Sequence, residues 1–215
     1  QRTTNLHHLT ASTFRIACFA LVAVLSVSCT GVPISSMYSL SKIEPMKTDP
    51  EQIRVAIRVD ESVNAARGSA QITMGYKAQD GSIDEEHEFD VILTATQTLT
   101  PMLTRGLLPG EQVTVMSLSP QDASTMRDFQ LRLYRHKAAN GNNDDDGSFG
   151  LSLRDLCLDK ALPEGDIPLT LFLKTESHED YIVFFKTELH DLFSDNDSDI
   201  DALPFCEEMA VEDGV

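Results

Sequence analysis

Two acidic runs, a handful of histidines and four cysteines are the groups in this 215-residue chain whose types and spacing could do chemistry. Asn142, Asp144 and Asp146 place an oxygen donor at every second position, and Gly147 follows. That pattern opens a twelve-position calcium loop, because a hard cation needs several converging oxygens and glycine permits the sharp turn. The twelfth position, where a bidentate Glu closes the shell, is Leu153. In the second run, Asp197, Asp199 and Asp201 have Glu208 at the twelfth position, but Ala202 stands where the glycine belongs. Each run has the flaw the other lacks. Calcium is the one cofactor the sequence suggests, and a solvated polar loop has the same composition without convergence.

The histidines point less sharply. His87 lies among Glu85, Glu86, Glu88 and Asp90, and His178 is followed by Glu179 and Asp180. A carboxylate beside an imidazole can orient a general base or share a metal ion. Both pairs lie in polar, turn-like surroundings, where a surface histidine amid acids is the ordinary case. There is no Gly-x-Ser-x-Gly, no Gly-rich phosphate loop, no His-Glu-x-x-His and no Cys-x-x-Cys, so no nucleophile is singled out. A hydrolase would have to assemble its site from residues distant in sequence.

Residues 14–29 read FRIACFALVAVLSVSC. Arg15 supplies a positive flank, residues 16–25 are uninterruptedly apolar, and small residues precede Cys29. The layout is that of a secretory signal. With its cysteine just after the small residues, it resembles a bacterial lipoprotein signal peptide, whose cysteine is diacylated and becomes the mature N-terminus. The position three before the cysteine, usually Leu, is Ser26, with Leu25 one step earlier. A plain cleaved signal is the alternative. The apolar stretch falls short of the roughly 20 residues a spanning helix needs. One acyl chain binds a membrane marginally, so stable tethering takes at least two. The resemblance implies lipidation at Cys29, a periplasm-facing protein held by its anchor, and, with Thr30 and not Asp next, the outer membrane. Tyr38-Ser39-Leu40, shortly after the lipidated cysteine, is similar to the opening of ABC-transporter auxiliary lipoproteins.

Loss of residues 1–28 would remove Arg2 and Arg15 and no acid, taking the formal charge from −17 to −19. Such acidity argues against nucleic acid as a partner, because that affinity comes from Lys and Arg neutralising phosphates. It also argues against lying directly on anionic lipid. With Cys18 gone and Cys29 acylated, Cys157 and Cys206 remain. Two thiols in an exported chain most often pair, since the compartment is oxidising.

The elements that must carry these groups follow from periodicity. Residues 30–50, with Pro33, Pro45 and Pro50, read as a tether. In residues 53–60, Ile53, Val55, Ile57 and Val59 alternate with Arg54 and Arg58, the period of a half-buried strand. Residues 69–78 and 86–96 form a hairpin around Asp80-Gly81, a turn pair that tolerates positive φ. Residues 101–110 read as a loop and 112–118 as a further strand. Ser119 and Pro120 are suited to the N-cap and first position of a helix running to about Ala138, with Asp122 in its first turn. Arg127, Arg132, Arg135 and Lys137 make its surface the one dense basic stripe, either a solvated face or a dock for an acidic partner or phosphate group. Residues 140–147 read as a polar loop and 150–159 as a strand. Residues 168–176 and 181–189 form a second hairpin. Residues 191–215 carry acids and no base, the composition of a solvated tail.

The sequence therefore predicts an α+β fold, mostly antiparallel sheet with two hairpins and one main helix. The organisation is a signal at 1–28, a lipidated tether at 29–50, a domain at 51–190 and an acidic tail at 191–215. The resemblance implies a non-enzymatic envelope lipoprotein that binds or scaffolds, accessory to a transport or envelope complex. Its partners would be the membrane, through the anchor, and envelope proteins. A calcium-responsive binding module is the reading the acidic runs support.

Overall fold

The alternating residues of 53–60 do form a strand, β1 (Arg54–Asp60), and it sits inside a seven-stranded sheet. In a computed structural model of the chain, the described residues are 43–65, 69–94, 99–141, 145–176, 180–194, 200 and 203–208. After β1 come β2 (Val63–Ala65), β3 (Ala70–Lys77) and β4 (Asp84–Leu93). The short helix α1 (Pro101–Thr104), strand β5 (Glu111–Leu118) and the long helix α2 (Pro120–Asn140) follow. The chain continues through β6 (Asp146–Leu153), β7 (Leu156–Leu158), β8 (Pro168–Lys174), β9 (Ile182–Glu188) and α3 (Leu189–Ser194).

The sheet order is β6-β3-β4-β5-β1-β8-β9, antiparallel throughout, and it curls into a half-barrel. Strand β4 produces the curl by changing partners. Its residues 84–90 pair with β3, and its last three, Val91, Ile92 and Leu93, pair with β5. A ten-residue strand can serve two neighbours in this way because right-handed twist turns its far end away from the first. Strands β2 and β7 form a separate pair.

Period-two alternation puts Val55, Ile57 and Val59 of β1, Ile72, Met74 and Tyr76 of β3, and Leu169, Leu171 and Leu173 of β8 in one core. Helix α2 closes it with Met126, Phe129 and Leu133, all essentially inaccessible to water. The helix begins as its residues dictate. The Ser119 hydroxyl accepts the Asp122 N–H at 3.0 Å, and Pro120 needs no partner for a missing N–H. It ends at Gly141, whose φ of 81° suits a residue without Cβ.

The other face of the sheet is not simply wet. Ala56, Val115 and Phe172 of three adjacent strands meet Leu103 of α1 and Tyr181 in a smaller second core. The 101–110 segment, expected as loop alone, therefore folds a helical turn to cover that face. The Thr100 hydroxyl donates to Asp180 at 2.6 Å and ties it to the second hairpin.

Three further expectations change. The sheet is larger than two hairpins, because β1 lies between β5 and β8, far apart in sequence. The strand expected at 150–159 is two, β6 and β7, broken where Asp155 turns at φ 53°. The first of these begins at Asp146, so residues 146–149 extend into what reads as polar loop. No helix among the described residues is long and apolar enough to cross a membrane.

Candidate functional site

A recess lies where residues 43–50 run across α2. Its framework comes from one buried amide. Gln130 faces inward from α2, and its Nε2 donates to the carbonyls of Pro45 at 2.7 Å and Thr48 at 2.9 Å. Arg127, one turn earlier, donates to Asp49 at 2.7 Å and Glu51 at 3.2 Å. The segment itself is turned by Thr48, whose N–H and hydroxyl both bond the Glu44 carbonyl. These contacts leave a groove of about 610 Å³ between Ile43, Pro45 and Met46 on one side and Tyr134, Lys137 and Ala138 on the other. A second hollow of about 450 Å³ continues it past Leu131. Tyr134 is 65% exposed and Leu131 45%, and both border this recess. A mostly apolar cleft with a few polar groups at its rim is the usual form of a binding site.

The basic stripe of α2 is largely spent within the molecule. Arg127 holds Asp49 and Glu51, as above. Arg132 makes a two-pronged contact with Glu85, at 2.8 and 2.7 Å. Lys137 lies over the Tyr76 ring, 5.4 Å from its centre. The stripe thus fastens the helix to β3, β4 and the incoming chain.

His87 is one end of this fastening. Its Nε2 is 3.0 Å from Glu85, and its ring packs 4.4 Å from Phe129. The hydrogen bonds from Arg132, and then that from His87, hold the Glu85 carboxyl below its ordinary range. Glu85 thus orients the ring in a structural triad. His178, the other candidate, lies outside the described residues.

Of the first calcium run, Asn142 and Asp144 lie outside the described residues. Asp146 opens β6, opposite Lys77. It lines a small hollow of about 210 Å³ with Lys77, Asp84 and Glu86, where the Lys77 ammonium pairs with Asp84 at 2.8 Å. Asp145, which the loop pattern left unused, accepts the Tyr76 hydroxyl at 2.5 Å and the Gln79 N–H at 3.0 Å. Those two bonds, the Tyr76 one foremost, depress its carboxyl, while burial and Asp145 push the Tyr76 phenol up. Of the second run, Asp197, Asp199 and Asp201 lie outside the described residues, and Glu208 closes a short turn with its N–H on the Phe205 carbonyl. Among the described residues no group of three or more His, Cys, Asp or Glu is placed to hold a metal ion.

Cys157 and Cys206 form a disulfide, with Cα atoms 5.0 Å apart. Cys157 is buried in β7. Beside the bond, the Leu158 N–H donates to the Pro204 carbonyl at 2.9 Å, and Leu158 and Phe205 form a parallel bridge. The C-terminal segment is thus pinned to the domain at this point. Cys29 lies outside the described residues.

Sequence reading missed Gln130 and the groove it frames. A lone Gln on the apolar side of a helix is a weak signal, but it is one, because a buried amide must find partners. No family model, curated protein or solved structure matches the chain.

Proposed function

We propose that this chain is a membrane-tethered lipoprotein of the bacterial envelope, acylated at Cys29, whose domain binds a partner and catalyses nothing. The observation that carries this reading is the Cys157–Cys206 disulfide. A stable structural disulfide belongs to an oxidising compartment, where a signal like that of residues 14–29 would deliver the chain. Two independent parts of the sequence thereby agree on one address. The strong acidity supports the same reading, since a tethered domain of net charge −19, once Arg2 and Arg15 have gone with residues 1–28, is repelled by anionic lipid and stands off the surface.

The binding role is assigned to the groove along α2. It offers exposed Tyr134, an aromatic of the kind that anchors binding partners, with Leu131, Ile43 and Met46 as apolar surface beside it. It also lies where residues 43–50 enter the domain.

Membrane fractionation tests the tether. The wild-type chain should stay with membranes through high-salt and carbonate washes, and Cys29→Ala should be released. Retention of Cys29→Ala through both washes would refute acylation as the anchor. For the groove, a photo-crosslinking side chain at position 134 should capture an envelope protein, and Leu131→Glu should abolish that capture with no loss of folding.

A further inference from the structure

The end of the sheet at β6 points to a second copy of this chain. Strand β6 (Asp146–Leu153) is bonded to β3 on one side and has no neighbour on the other among the described residues. An open edge of this length presents a row of unpaired N–H and C=O groups, which proteins normally blunt with charge, proline or a bulge. Between Gly147 and Leu153 there is no charged residue and no proline, and the β3–β6 register runs without a shift. Phe149, Leu151 and Leu153 point to the core side yet remain half-buried, because nothing described covers them from beyond the edge.

We propose that β6 pairs antiparallel with β6 of a second copy about a twofold axis at Gly150. The strand carries an acid at one end, Asp146, and a base just past the other, Arg154, which is 44% exposed and within its own chain donates to Asp90 at 3.2 Å. Run antiparallel about Gly150, it is complementary to itself. Asp146 falls opposite Arg154 of the other copy, Ser148 opposite Ser152, and Phe149 opposite Leu151 on the core side. Shifting the register by one residue turns the apolar side chains to the wrong face.

The charge on the chain does not forbid this pairing. Apart from Asp146 and Asp155 at the two ends of the strand, the exposed acids nearest the edge, Asp84, Glu86, Glu88 and Asp90, stand on β4, two strands in. Across the joined edges the two rows would be five strand spacings apart, roughly 24 Å. That is about three screening lengths at physiological salt. Gly150 is suited to the axis. It has ordinary φ, and a Cβ there would meet only Thr73 at 3.7 Å, an ordinary contact.

The same feature supplies the test. Gly150→Cys in the full chain, solubilised in detergent and mildly oxidised, should give a covalent dimer whose link joins the two substituted positions on peptide mapping. Ser148→Cys alone should not, whereas a mixture of Ser148→Cys and Ser152→Cys chains should cross-link to each other. In sedimentation equilibrium of the uncross-linked chain, Asp146→Arg should weaken the dimer by on the order of tenfold, because attraction becomes repulsion at both ends. Three results would overturn the proposal. They are a Gly150→Cys chain that melts like wild type yet stays monomeric on oxidation, equally efficient linking through Ser148→Cys alone, and a cross-link at position 150 to a different protein.

Discussion

Gln130 decides how residues 43–50 meet the folded domain. Its amide satisfies two backbone carbonyls that would otherwise lie against the helix without partners. Leaving a buried acceptor unpaired costs about 1–3 kcal/mol, more than the bond itself contributes. Gln130→Leu should therefore lower unfolding free energy by about 2–4 kcal/mol, with both carbonyls orphaned. It should also speed amide exchange at Lys47 and Thr48, whose N–H groups close the turn on Glu44. Equilibrium denaturation and hydrogen exchange together check both parts.

Glu85 is the second residue with a sharp consequence. Its carboxyl is held below the ordinary value by Arg132 and His87, so the folded state binds a proton less readily than the unfolded one. The stability this adds is complete above the unfolded Glu value of about 4.3 and disappears as pH falls through the lower folded value. Melting temperature should drop across that acid window in the wild type. Glu85→Gln should start less stable at neutral pH and lose less on acidification. Identical acid limbs for the two proteins would show that the contact adds nothing.

At the scale of elements, strand β3 has a glycine where its neighbour leaves no room. A Cβ at Gly75 would come within 2.4 Å of the Ser148 hydroxyl across the β3–β6 pair. Gly75→Val should cost about 1–3 kcal/mol through overpacking, measured by chemical denaturation. Ser148→Gly in the same chain should return much of it, because the colliding hydroxyl is then gone.

The elements also show what sequence pattern can reach. Strand β1 and helix α2 were legible because one periodicity or one cap decides each: Ile53, Val55, Ile57 and Val59 in alternation, Ser119 and Pro120 at a helix start. The second core was not legible. Ala56 and Phe172 fall on the faces that alternation assigns to solvent, Val115 belongs to an apolar face whose side of the sheet alternation leaves open, and only the fold of 101–110 brings Leu103 over them. The break at Asp155, at φ 53°, was hidden because apolar residues continue on both sides of it, Leu151 and Leu153 before and Leu156 to Leu158 after. The basic stripe was visible as charge, while its partners Asp49, Glu51 and Glu85 are set by tertiary structure. The groove was invisible for the same reason, since it exists only once Gln130 has drawn residues 43–50 onto α2.

For the whole molecule, the disulfide joins the last described segment to β7 across 49 residues of chain. Constraining a loop of that length in the unfolded state is worth about 4 kcal/mol on chain entropy alone. For a domain whose total stability is on the order of 5–15 kcal/mol, that is a large share. Reduction, or the pair Cys157→Ala and Cys206→Ala, should lower the melting temperature by several degrees to more than ten, read by scanning calorimetry with and without reductant. An unchanged transition would mean that the bond constrains nothing the unfolded chain would otherwise explore.

The address of the protein is the claim on which its function rests, and intact mass spectrometry tests it most directly. Protein purified from bacterial membranes should have the mass of a chain beginning at Cys29 plus at least two acyl groups, and Cys29→Ala should lack them. A wild-type mass equal to the unmodified chain, cleaved or uncleaved, would contradict the account of a lipid-anchored envelope protein.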